Sequence, residues 1–130
     1  MNSPHKARSR IESFRHAFAG LWYVLRTQRN AWIHAIATLV VIVIGLWLKI
    51  EWRDWALLIL AILVVWLAEI INTALEAITD LASPEIHPLA RVGKDVGAGA
   101  VLLASITAFI IGILVLMPAI RTKLTALGYF

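Results

Sequence analysis

The chain has 130 residues, 61% of them hydrophobic, with a mean hydropathy of +0.83. A soluble single domain is only about half apolar, so this length and composition describe one compact unit housed in a membrane. Twelve Lys+Arg against eight Asp+Glu give +4, and the absence of cysteine excludes a disulfide framework, a thiolate metal site and a cysteine nucleophile.

The first 30 residues are polar and basic, with no small-residue cleavage site after the first apolar run, so no cleavable signal is expected. Within them Ile11, Phe14, Phe18, Leu21, Trp22 and Leu25 recur at helical spacing, with Arg10, Arg15 and Arg26 on other faces. This predicts an amphipathic helix over residues 8–29 lying on the membrane surface. The plainer alternative is a basic flank that happens to be helical.

Three stretches then approach the ~20 apolar residues of a bilayer crossing. The first is 31–50, whose ionisable groups are His34 and Lys49. The second is 55–79, after the charged turn Glu51-Trp52-Arg53-Asp54, and the third is 96–120, which carries no charge. Trp32, Trp47, Trp52 and Trp55 fall near span ends, as interfacial aromatics do. The expected fold is an all-α membrane protein, one domain over residues 1–130 with three transmembrane helices and an N-terminal surface helix.

Lys6, Arg8, Arg10, Arg15, Arg26, Arg29, Arg91 and Lys94 fall on one side of this topology, and Lys49, Arg53, Arg121 and Lys123 on the other. The excess predicts that the N-terminus and the 80–95 loop face the cytoplasm, in a bacterial inner membrane. Topology accounts for the basic residues without a nucleic-acid partner.

The second span carries Glu69, Asn72 and Glu76, followed by Asp80. At ~100° per residue all four share one helix face. A carboxylate at membrane depth costs about 2.5–3.5 kcal/mol even on insertion scales, and such groups mark functional sites by default. The bland alternative puts Glu76 and Asp80 among the headgroups and lets Glu69 pair with a neighbouring helix. Two carboxylates one helical period apart also suit Mg²⁺, which takes hard oxygen ligands and shares them with phosphates.

The loop His87-Pro88-Leu89-Ala90-Arg91-Val92-Gly93-Lys94-Asp95 precedes the small-residue run Val96-Gly97-Ala98-Gly99-Ala100. Lysine near a helix start and a glycine favours phosphate, although there is no P-loop motif. Gly93, Gly97 and Gly99 equally suit close helix packing. A carboxylate column and a phosphate-friendly lysine on one side of the membrane are the parts that phosphoryl transfer to a lipid hydroxyl requires. Three helices hardly enclose such a site, so oligomerisation is expected.

These residues match a known pattern. Glu69-x-x-Asn72-x-x-x-Glu76-x-x-x-Asp80, Ser83-Pro84-Glu85-x-His87-Pro88-Leu89-Ala90 and Lys94-Asp95-x-x-Ala98-x-Ala100-Val101-Leu102-Leu103 resemble the bacterial diacylglycerol kinase/undecaprenol kinase family over nearly the whole chain. The resemblance implies a homotrimeric lipid kinase using ATP and Mg²⁺. It implies Glu69 as general base, Asn72 as the residue positioning the reacting groups, and Glu76 as a metal ligand. Lys94, Asp95 and Asp80 would lie at the nucleotide, with Arg10 and Arg15 of the surface helix as phosphate contacts. Where the family commonly has a second metal-binding glutamate, this chain has Gln28, which offers a carbonyl oxygen without the charge. Arg29-Asn30-x-x-Ile33-His34 and the 83–90 segment look more like the undecaprenol branch than the diacylglycerol branch. From other classes, a small proton-coupled transporter would use Glu69 alone, and a weakly active membrane adaptor would follow if Gln28 abolished catalysis.

Overall fold

A computed structural model describes residues 10–83 and 87–128, which form four α-helices and no strand. They are α1 (Arg10–Thr27), α2 (Arg29–Leu48), α3 (Trp52–Ala82) and α4 (Pro88–Ala126). Residues 8 and 9 of the expected surface helix, the basic Lys6 and Arg8, and the motif residues Pro84 and Glu85 lie outside the described residues.

Helix α1 leaves Ile11, Phe14, Phe18 and Trp22 exposed and buries only Val24, close to its C-terminal end. An apolar face that the bundle does not cover, flanked by arginines, is the form of a helix that rests on a bilayer. Gln28 then breaks the helix with an extended backbone (φ −97°, ψ 117°) and turns the chain into α2.

Helices α2, α3 and α4 are each long and apolar enough to cross a membrane. Helix α2 ends at Leu48, just inside the expected 31–50 span, whereas α3 and α4 overrun theirs: α3 runs from Trp52 to Ala82 and α4 from Pro88 to Ala126. An apolar run stops at its first charges, but helical hydrogen bonding continues into the headgroup layer. At α4 the sequence supplies a true start. His87 accepts from the Leu89 N–H at 3.2 Å, and Pro88 sits at a first-turn position that needs no donor.

Consecutive spans pack antiparallel, and a series of pairs sets their register. Between α2 and α3 the pairs are Gln28 with Glu76, His34 with Glu69, Thr38 with Trp66, and Gly45 with Trp55. Between α3 and α4 they are Asp80 with Lys94 and Asn72 with Gly97. At the far end Lys123 of α4 donates to the Trp47 carbonyl of α2 and stands 4.5 Å over its ring. Buried positions run along α3 as Leu58, Ala61, Val65, Glu69, Asn72 and Thr73, and along α4 as Gly97, Val101 and Ala104. Small residues let these backbones approach, as they do in membrane helix pairs generally. Most other large apolar side chains of the spans point outward, which lipid or another copy of the chain accommodates without cost.

The α2–α3 turn rests on a left-handed residue, Lys49 (φ 54°), whose N–H bonds the Leu46 carbonyl while the Ile50 N–H bonds that of Gly45. This Schellman-type ending favours glycine, because a side chain in the left-handed region costs about 1 kcal/mol. Lys49→Gly should therefore raise the thermal midpoint in detergent by a few degrees, and Lys49→Val should lower it; melting curves of the two variants check this.

Candidate active site

The site is a polar column on α3, enclosed by α2 on one side and α4 on the other. Taking Trp55 at one interface and ~1.5 Å of rise per residue, Glu69 lies ~21 Å along α3, Glu76 ~32 Å and Asp80 ~38 Å. Against a hydrocarbon layer ~30 Å thick, Glu69 is inside it, Glu76 at its edge and Asp80 among the headgroups. Asp80 has the depth of the bland alternative, and Glu69, though at hydrocarbon depth, faces His34 of the neighbouring α2 as that alternative also expects.

At the edge, Glu76 receives two amides. Gln28 Nε2 donates to its Oε2 at 3.3 Å, and Asn72 Nδ2 donates to its Oε1 at 3.0 Å. Gln28 opens α2 without capping it, since its side chain reaches across to α3. Asn72 is buried, and its own Oδ1 has no hydrogen-bond partner. Gly97 of α4 faces that oxygen so closely that a Cβ there would collide with it. Gly93 and Gly99, by contrast, face open space. Of the three glycines, Gly97 is therefore the one on which the α3–α4 contact depends.

Deeper in the bundle, Glu69 is only 1% exposed, and Thr73 Oγ1 donates to its backbone carbonyl at 2.8 Å. Its carboxylate Oε2 stands 3.8 Å from His34 Nε2, and both atoms are buried without a hydrogen-bond partner. The two carboxylates therefore do not act as one clamp: Glu69 looks toward His34 and Glu76 toward Gln28 and Asn72. Among the described residues no three His, Asp or Glu side chains group to hold a metal. Both amides present N–H groups to Glu76 and Asn72 Oδ1 is shut against Gly97, so the donors that fit Mg²⁺ are Glu76 and, once its amide turns, the Gln28 oxygen, with phosphates left to complete the set.

At the membrane surface, Lys94 of α4 pairs with Asp80 of α3, and Asp95 pairs with Arg91 one turn earlier at 3.8 Å. All four are at or near the surface, so these pairs add little to stability and are open to exchange with an anion. Arg10 and Arg15 are exposed on α1, and among the described residues no hydrogen bond or ion pair ties them to the column. The structure thus brings Gln28, Asn72 and Glu76 into one cluster and Asp80 and Lys94 into another, and leaves Arg10 and Arg15 apart.

Two cavities meet at this column. A polar one of about 250 Å³ is lined by Gln28, Asn30, His34, Asn72, Glu76 and Ser105 among others. An apolar one of about 470 Å³ follows the bundle from Ile33 and His34 to Met117 and Ile120. The sequence marked His34 as an ionisable group in the first span and as part of the stretch resembling the undecaprenol branch, but not as a neighbour of Glu69. Its depth was the available signal, since a polar side chain inside a span is a functional candidate by default.

A polar cluster at the membrane edge thus opens beside an apolar cleft between membrane-spanning helices. The model of the prokaryotic diacylglycerol kinase family matches residues 15–116. The undecaprenol kinase of Bacillus subtilis is 37% identical over 83% of this chain and 88% of its own length. A diacylglycerol kinase of Synechocystis is 43% identical over 83% of this chain, the match spanning 62% of that longer protein. The diacylglycerol kinase of Escherichia coli is 37% identical over 68% of this chain and 78% of its own length. The chain belongs to the prokaryotic diacylglycerol kinase family and is a membrane lipid kinase. None of the three relatives is named as a transporter or an adaptor.

Because Gly97 leaves Asn72 no room to move, Gly97→Ala should displace the Asn72 side chain and lower kinase activity by about 10²-fold, the scale of a 1 Å misplacement. Gly99→Ala should leave activity within about twofold. Initial rates of both variants at matched thermal stability check the pair.

Proposed function

We infer that the chain is an ATP- and Mg²⁺-dependent kinase that phosphorylates the hydroxyl of a membrane lipid alcohol, undecaprenol in first place. It works as a homotrimer in the bacterial inner membrane, with its site on the cytoplasmic face. The observation that carries this reading is the depth step along α3: Glu69 inside the hydrocarbon layer, and Glu76 about 10 Å higher at its edge. A lipid hydroxyl reaches the lower carboxylate, and the phosphates of a water-soluble nucleotide reach the upper one.

On this reading the acceptor hydroxyl gives its proton to Glu69 as its oxygen bonds the γ-phosphorus. The bond from that phosphorus to the leaving oxygen breaks, giving a lipid phosphate and ADP. Asn72, fixed between Glu76 and Gly97, orients the reacting groups. Glu76, with the Gln28 oxygen turned toward it, would hold Mg²⁺, which supplies neutralising charge to the phosphates when bound. Lys94 would exchange Asp80 for phosphate as the nucleotide arrives. Asp95, Asp80, Arg10 and Arg15 complete the nucleotide side, where α1 lies against the membrane surface.

The undecaprenol reading is supported by the His34-bearing segment and by the Bacillus subtilis relative, matched over most of its length. The diacylglycerol reading is favoured by the names of the Synechocystis and Escherichia coli relatives. The trimer rests on the family resemblance and on a site that three helices hardly enclose.

Purified protein in bilayers, given γ-labelled ATP, Mg²⁺ and both lipids, should place more label in undecaprenyl phosphate than in phosphatidic acid. Glu69→Gln should lower transfer by 10²–10⁴-fold, the usual worth of a general base. More label in phosphatidic acid would favour the diacylglycerol reading, and none in either lipid would sink both. Gln28→Glu should lower the Mg²⁺ concentration needed for half-maximal rate; an unchanged Mg²⁺ dependence would remove Gln28 from the metal site.

A further inference from the structure

Transfer of a phosphoryl group from ATP to an alcohol releases one proton. On the reading of Glu69 as base, that proton ends on a carboxylate with no exit of its own. Glu69 is 1% exposed and lines neither cavity, and it lies about 10 Å below the level of Glu76 at the membrane edge. Hydrocarbon holds no water that could take the proton away. A base that keeps its proton works once, so repeated turnover needs a carrier between Glu69 and the aqueous side.

Two ionisable groups act on Glu69: His34 of α2, and Glu76 two turns along α3. Glu76 is too distant for direct transfer, and both its oxygens already accept from amides, those of Gln28 and Asn72. His34 is adjacent, with Nε2 3.8 Å from Glu69 Oε2. Both atoms are buried without another partner, so nothing competes for either, and an approach of about 1 Å makes the pair a hydrogen bond. Helix α4 supplies no rival. Where it meets the polar cavity it presents Ala98, Val101, Leu102 and Ser105, and the Ser105 hydroxyl donates to the Val101 carbonyl at 2.8 Å.

From His34 outward the path is polar. Its side chain keeps 14% exposure where that of Glu69 keeps 1%, and it lines the cavity that reaches Gln28, Asn30 and Glu76. At about 250 Å³ that cavity far exceeds the ~10–15 Å³ that admits one water. Imidazole can bind a proton at one nitrogen and give one up at the other. On its other side His34 meets the edge of Trp66, with centroids 6.4 Å apart, and the apolar cavity has no other ionisable residue in its lining. The proton therefore has one way out.

We propose that His34 is the proton carrier of the site, taking the acceptor's proton from Glu69 at Nε2 and releasing one from Nδ1 to water in the cavity between Gln28, Asn30 and Glu76. This rests on the reading of Glu69 as base. The O–H bond on Glu69 breaks as an N–H bond forms at Nε2. The N–H bond at Nδ1 then breaks as water takes that proton, and exchange with the same water restores the starting tautomer. Nothing is oxidised or reduced. His34 acts through Glu69 and touches neither the attacking oxygen nor the phosphorus in this role.

The test uses full-length His34→Ala and His34→Gln in bilayers, with kcat, the KM for lipid and for ATP, and the thermal midpoint recorded for each. Both should lower kcat by about 10²-fold, the low end for a positioned proton-transfer group, with either KM within about twofold of the parent protein. The kcat of His34→Ala should rise with imidazole added at fixed pH and ionic strength, and should fall further in D₂O than the parent's. The parent should not respond to imidazole. Parental kcat in either variant would overturn the proposal, since glutamine can hydrogen-bond but carries no proton. So would a slow His34→Ala that imidazole does not accelerate, which marks a merely structural histidine. Glu69→Gln separates the two readings. Full transfer in that variant removes base and carrier together, whereas an inactive Glu69→Gln beside a fully active His34→Ala leaves the base standing and ends the carrier alone.

Discussion

A carboxylate inside the hydrocarbon layer is the constraint around which this bundle is arranged. Glu69 is almost wholly enclosed, and hydrocarbon offers it no hydrogen bond. Protein must therefore close over it: Gly97, Val101 and Ala104 bring α4 against α3, and His34 of α2 meets Glu69 itself. Remove the close approach at these positions and the column would face lipid.

The same constraint separates two chemistries by depth. At the membrane edge Glu76 accepts from two amide N–H groups, which solvate a carboxylate. Two turns deeper, Glu69 faces the imidazole of His34, which lines the apolar cavity. Charge is manageable at the upper level and costly at the lower. A reaction that joins a polyanion to a lipid alcohol has the same division, and membership of a membrane lipid kinase family agrees with it. Beyond this level, Lys94 and Asp80 form an exposed pair that an arriving phosphate can dissolve at little cost.

Much of this was legible in the sequence because it lies on single elements. Spacing alone put Glu69, Asn72, Glu76 and Asp80 on one face, and apolar runs marked the three spans. The helix ends were not legible, since counting apolar residues stops at a charge while the backbone ladder continues; only the His87-Pro88 start is written in residues. Register between helices was also hidden. Periodicity within α2 cannot say that His34 meets Glu69, or that Gln28 meets Glu76, because those pairs depend on how two helices slide past one another. For the same reason Gly97 could not be told from Gly93 and Gly99 until α3 lay beside it.

The central claim is that the acceptor is activated within the bilayer. It is tested most directly by offering γ-labelled ATP to the protein in bilayers with two alcohols together, a membrane-embedded lipid alcohol and glycerol in the water. The account predicts label in the lipid and none above background in glycerol, since the aqueous alcohol cannot reach Glu69. Comparable labelling of glycerol would contradict it.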